Sequence, residues 1–473
     1  MKKNKLIFTL LILLSTLTYG QEKCECADNL EKTIQKVEEN YAGFPDKVTA
    51  KNKSEYEQIK KALRNKAITS NNPNQCFKVL KDYVNFFYDK HFRIEYNAKM
   101  DSSVIKIDIP QIKQKIKNSK QNSIEGIWKD INATEIAIIK DGKESYKAVK
   151  LSSDKDVFPK GFVYFTLAKK GNNYVAKLYN RNISLEIPAK KTGNFLKIWS
   201  FQLWAKTGIK LSQNELDEFE SWRGNNNGLV FKKLNNDFTY LKIPTFYNNE
   251  SSIQSLVTQN DSIIRKTKYL IIDLTSNGGG SSGWVSLIPY LATNEINQQE
   301  SLLRVSKENV ARKLPDIEPF VTNPIPAEYK KYFPEETVEK YKKAYKELPA
   351  TSKTFYPTPG VNFPLDSILS CPAKVAVVFD DFGGSSTEYF FHLTKQSTKV
   401  LTYGQPTIGM MDYVGMSNPT KLPYSAFNLY IPIEKSSWTA SKPIDKTGFI
   451  PQVLIKEKQE NWIDYIMSDL PKR

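Results

Sequence analysis

The sequence predicts a multidomain α+β protein, and three observations predict it. Helical spacing of apolar residues marks residues 21–100. Short β-type runs broken by Asn-Asn and Asp-Gly turns fill residues 101–235. From residue 236 to 473, buried-strand runs alternate with helical stretches, the rhythm of an α/β core.

The chain of 473 residues opens with Lys2, Lys3 and Lys5, then an apolar run from Leu6 to Leu17. That run is short of the roughly 20 residues a membrane span needs, and Thr18-Tyr19-Gly20 supplies small residues before a cut. Residues 1–20 therefore read as a signal peptide, and the protein as exported, periplasmic or extracellular. No later stretch reads as a membrane span. The formal charge is +17, spread as lysines over every segment. With no nucleic-acid-binding motif beside it, this reads as a solvated surface and argues against nucleic acid as a partner. Of Cys24, Cys26, Cys76 and Cys371, the first two are too close to pair with each other. One of them is expected to bridge to Cys76 in an oxidising compartment. Cys-x-Cys plus a distant Cys is poor zinc spacing, so no metal or other cofactor is expected.

In the N-terminal segment, Leu30, Ile34, Val37 and Tyr41 mark one helix, Tyr56, Ile59 and Leu63 a second, and Phe77, Leu80, Val84 and Phe87 a third. The third ends in Tyr88-Asp89-Lys90-His91-Phe92. The middle segment reads as an antiparallel meander over 123–128, 135–139, 146–151, 162–167, 174–179, 195–203 and 229–234, closing into a small barrel or sandwich. Trp128, Trp199, Phe201 and Trp204 are expected in its core. Within the C-terminal part, the charged, proline-punctuated stretch 295–365 interrupts the α/β rhythm and reads as an insertion over the site.

Two stretches of that core carry chemistry. Val375 to Phe379 is a buried strand, followed by the turn Asp380-Asp381-Phe382-Gly383-Gly384, then Ser385-Ser386-Thr387-Glu388 and an amphipathic run with apolar Tyr389, Phe390 and Leu393. A serine on such a turn sits at a helix N-terminus, where free N–H groups favour negative charge. Alone it is as readily a helix cap. Tyr269 to Leu274 is a second buried strand, and Thr275-Ser276-Asn277-Gly278-Gly279-Gly280 follows it. Consecutive glycines let backbone N–H groups approach a ligand closely.

Together, Asp273, Asn277 to Gly280, Gly384-Ser385-Ser386-Thr387-Glu388 and Thr407-Ile408-Gly409 resemble the S41 peptidase family, the processing and tricorn-like peptidases, over about Phe238 to Ile455. The resemblance implies a ClpP/crotonase-like core and hydrolysis of a peptide or protein substrate. It implies Ser385 as nucleophile, three residues before Glu388, with oxyanion donors from Ser386 and from Gly278 or Gly279. The processing branch places a lysine where this chain has Met410, which cannot accept a proton. The His-dependent branch carries Asp-x-His after an N-terminal helical segment, matched by Asp89-Lys90-His91, so His91 is expected as general base. Asp445 is expected to orient it, with Glu388 as an accessory. His392, about 10 Å along the helix from Ser385, is expected to be structural. Met410, and Gln452 in place of a family Asp, leave a second reading open: a degenerate member that binds peptides or envelope polymers without cutting.

Overall fold

The computed structural model describes residues 23–97, 104–117, 122–152, 158–179, 185–224, 227–416, 418–456 and 461–473. The segment read as a signal peptide lies outside them. No helix among the described residues is long and apolar enough to cross a membrane.

A six-stranded sheet is the centre of the C-terminal part. Its strands are β1 (Val230–Lys233), β2 (Phe238–Lys242), β3 (Tyr269–Asp273), β4 (Lys374–Phe379), β5 (Val400–Gly404) and β6 (Val453–Leu454), in that spatial order. β1 is antiparallel to β2, and all later neighbours are parallel. Parallel strands covered on both faces need apolar residues throughout. Leu270, Ile271, Ile272, Val375, Ala376, Val377 and Val378 are all fully buried. The 229–234 run thus belongs to this sheet and not to the β domain, because its edge pairs with β2.

The middle domain is a closed eight-stranded barrel whose first strand, Gly126–Asp130, pairs with its last, Gln202–Lys206. Closure removes both sheet edges. Trp128 and Trp204 fill its interior as expected. Trp199 does not, and neither does Phe201: both are only partly buried, at the hairpin turn between the last two barrel strands. Trp199 takes φ +43°, which throws the indole outward onto the C-terminal core.

The N-terminal helices α1 (Cys26–Asn40), α2 (Lys53–Ile68) and α3 (Pro73–Asn85) form an apolar cluster with residues from the far end of the chain, including Tyr413, Leu422, Phe427 and Leu429. A disulfide joins Cys26, not Cys24, to Cys76 and so ties α1 to α3. The strand Arg93–Tyr96 then pairs antiparallel with Phe427–Tyr430. The 295–365 stretch carries two helices, Lys307–Thr322 and Glu335–Glu347, packed on each other. Arg304 donates to the carbonyls of Glu38 and Tyr41, and Glu308 binds Lys36 and Asn40. These contacts anchor the insertion to the N-terminal helices.

Candidate active site

β4 delivers its last apolar residue, Phe379, to a turn that the Asp380 carboxylate organises. That carboxylate accepts the N–H of Ser276 at 2.9 Å and of Phe382 at 3.1 Å, so one buried group holds the serine turn and the glycine turn together. Ser385 follows at φ +52° and ψ −125°, outside the regions open to ordinary side chains, immediately before helix α4 (Ser386–Thr394). A non-glycine residue stays in such a conformation only where its surroundings over-determine it, and these positions cluster at functional sites. The serine occupies the N-cap position of that helix, but its side chain makes no cap hydrogen bond.

The Ser385 hydroxyl instead faces Nε2 of His91, 3.1 Å away. The histidine arrives there through the end of α3. The helix ends at Asn85, Tyr88 at φ +52° turns the chain beyond it, and Asp89 Oδ1 accepts the N–H of His91 at 2.9 Å. Asp89 Oδ2 accepts the hydroxyl of Tyr41 at 2.9 Å, which fixes this turn to α1. The other ring nitrogen, Nδ1, lies 2.8 Å from the carbonyl oxygen of Tyr413. A carbonyl only accepts, so Nδ1 carries the proton and donates, leaving the Nε2 lone pair toward Ser385. Burial pushes the imidazole down to a pKa of about 4, with the Tyr413 carbonyl partly opposing the shift.

The glycine turn packs directly on the serine turn. Asn277 Nδ2 donates to the Ile243 carbonyl at 2.9 Å, while its Oδ1 accepts from Gly279 N–H at 3.0 Å and from Thr387 Oγ1 at 2.8 Å. A Cβ at Gly279 would lie 2.7 Å from Ser385 Cβ and 2.8 Å from Ser386 N, so only glycine fits. Because the Gly279 N–H is taken by Asn277, it is not open to a ligand. Among the described residues, the N–H groups of Gly278 and Ser386 have no acceptor.

Two of the expected residues stand elsewhere. The Asp445 carboxylate pairs with Lys47, and its backbone N–H donates to Asp412; it makes no hydrogen bond to His91, whose Nδ1 partner is a main-chain carbonyl. Glu388 also has no contact with His91. Fully buried, it accepts Thr407 Oγ1 at 2.6 Å and the N–H groups of Gly409, Met410 and Met411 at 2.5, 2.7 and 3.2 Å. It pins the Thr407–Met411 loop, and burial raises its carboxyl pKa against those hydrogen bonds. On that loop, Met410 packs beside the serine turn, where a Cβ at Gly384 would meet its sulfur at 2.8 Å. His392 packs against Trp438, ring centroids 4.4 Å apart and planes tilted by 39°, as a structural residue. Gln452 staples β5 to β6 through Thr402. No motif signals the Tyr413 carbonyl, since any residue type supplies one.

Residues 237–455 match the model of peptidase family S41, and this part of the chain is an S41 serine-type peptidase. Among solved structures, mature CPAF complexed with lactacystin is similar at 12% identity over 95% of this chain and 97% of that one, TM-score 0.51. Mature CPAF alone is similar at 12% identity over 91% and 92%, TM-score 0.50. The tricorn protease is similar at 14% identity over 95% of this chain and 36% of that one, TM-score 0.40. No curated protein sequence matches the chain.

Proposed function

We propose that the protein is an exported serine peptidase that cuts by an acyl-enzyme on Ser385, with His91 as general base. The reading rests above all on the Ser385 hydroxyl lying 3.1 Å from an Nε2 whose ring partner, the Tyr413 carbonyl, forces the accepting tautomer. Ser385 Oγ attacks the substrate carbonyl as its proton passes to His91 Nε2. The Gly278 and Ser386 N–H groups receive the oxyanion. Collapse breaks the C–N bond, and the imidazolium returns the proton to the leaving amine. A water, deprotonated by the same Nε2, then frees the acyl group and Ser385. Each oxyanion donor is worth about 2.7–4 kcal/mol of barrier. Neutral Tyr413 stands where a carboxylate orienter was expected, so it aligns the ring but offers the imidazolium less charge stabilisation than an ion would. Export is supported by the basic-then-apolar start of the chain and fits the Cys26–Cys76 disulfide.

The test is labelling of the folded protein by a fluorophosphonate probe. Labelling of the wild type, abolished in Ser385→Ala and strongly reduced in His91→Ala, is the expected result. A folded wild type that does not label favours the reading in which the cleft binds peptides without cutting.

A further inference from the structure

Trp199 belongs to the barrel, yet its indole lies on the glycine turn. A Cβ at Gly278 would come within 2.0 Å of Trp199 Nε1. The indole N–H donates to the Phe382 carbonyl at 3.2 Å, on the serine turn. Beside it, the barrel grips the same turn by charge: Lys190 Nζ lies 2.5 Å from Asp381 Oδ1, and Asn173 Nδ2 donates to Asp381 Oδ2 at 2.5 Å.

The rest of the glycine turn is bolted by hydrogen bonds. Ser276 N–H is held by Asp380, the Asn277 side chain by Ile243 and Thr387, Gly279 N–H by Asn277, and the Gly279 carbonyl by Phe246 N–H. Gly278 is the exception. Neither its N–H nor its carbonyl has a hydrogen bond among the described residues. The peptide that carries its N–H is tied only through the Asn277 carbonyl, which accepts the Gly384 N–H at a long 3.4 Å, and with no Cβ on Gly278 it keeps several accessible orientations. What bears on it is the flat face of Trp199. The indole is itself held in a backbone conformation, φ +43°, that bulky residues rarely adopt.

We infer that Trp199 is a positioning residue for the oxyanion site: the docked barrel presses its indole on Gly278 and so holds the Asn277–Gly278 peptide with its N–H available. Catalysis then depends on the barrel being seated, with Lys190, Asn173 and Asp381 as the seat. The inference rests on the proposed role of Ser385 and Gly278.

The experiment uses the full chain and a peptide that the wild type cleaves, with competent sites counted by fluorophosphonate titration. Trp199→Ala is expected to lower kcat per titrated site about 10-fold or more, short of the 10²–10³ for outright loss of a donor, with KM changed less than about twofold. Gly278→Ala, whose methyl would displace the indole, is expected to cost a similar factor. The double variant should cost no more than either, because both act on one peptide. Trp199→Leu, which keeps bulk at the site, should recover part of kcat and serves if Trp199→Ala fails to fold. A titrated kcat within about twofold of wild type in both Trp199 variants overturns the inference while leaving Ser385 as nucleophile. A loss confined to KM, or strictly additive losses in the double variant, does the same. A wild type that neither labels nor cleaves removes the peptidase-site reading, and the inference with it.

Discussion

At the scale of single residues, the surroundings of His91 set the pH range in which the site can work. Burial holds its pKa near 4, so the imidazole is neutral and able to accept a proton from mildly acidic pH upward. The acid limb of kcat/KM is expected to have its midpoint near pH 4, well below the 6.5 of a free imidazole. A midpoint near 6.5 would mean the ring is solvated in the free enzyme. The same shift bears on stability. The unfolded chain takes up the proton at higher pH than the folded one, so the His91 contribution is present above about 6.5 and is lost as pH falls toward 4. Ser385 and His91, singled out in the sequence through the motifs that resemble the family's, lie 3.1 Å apart in the structure. The orienting group was not legible in the sequence, since it is the main-chain oxygen of Tyr413, which the fold alone selects. Choosing Asp445 in its place assumed a carboxylate that the chain spends on Lys47.

At the scale of elements, Glu388 on α4 gathers four hydrogen bonds from the loop after β5. Replacing Glu388 by Ala removes four hydrogen bonds and strands the buried N–H groups of Gly409 and Met410, an expected loss on the order of 3 kcal/mol in a denaturant melt. Glu388→Gln keeps one accepting oxygen and should cost less. A change below about 1 kcal/mol in Glu388→Ala would show that water replaces the carboxylate there. The strands of the central sheet were readable because parallel strands buried on both faces are written as unbroken apolar runs. The barrel was readable as alternating segments, but its closure was not, because pairing of residues 128–130 with 204–206 is a long-range event with no local mark. Trp199 was assigned to the barrel core on the same grounds as Trp128 and Trp204. Nothing in composition separates an inward from an outward aromatic when the turn that aims it takes a left-handed residue.

For the whole molecule, the site depends on two distant parts of the chain being fastened together. The Cys26–Cys76 disulfide closes a 50-residue separation, for which chain entropy gives a stabilisation of about 4 kcal/mol. Reduction, or Cys76→Ser, is therefore expected to lower the melting temperature. Labelling of Ser385 should fall in step with it, since α1 and α3 carry the turn that presents His91. Full labelling of a reduced, thermally weakened protein would show that the strand 93–96 holds the histidine without the helices. The order of domains was legible in the sequence, but their mutual dependence was not. The insertion's ion pair to Lys36 and its hydrogen bonds to the Glu38 and Tyr41 carbonyls make it a brace for the N-terminal helices, which no local pattern in its sequence announces.

The pairing of Arg93–Tyr96 with Phe427–Tyr430 also bears on when, and not only where, the enzyme exists. Contacts this remote in sequence form only after the intervening chain has been made. A nascent chain that has already produced Ser385 still lacks the strand that seats its base, and also the Tyr413 oxygen that orients it. On the proposed reading, Ser385 therefore spends synthesis without a base held beside it. On that reading of Ser385 and His91, a peptidase built in this way stays silent toward its own unfolded chain until residues 413–430 have closed the fold.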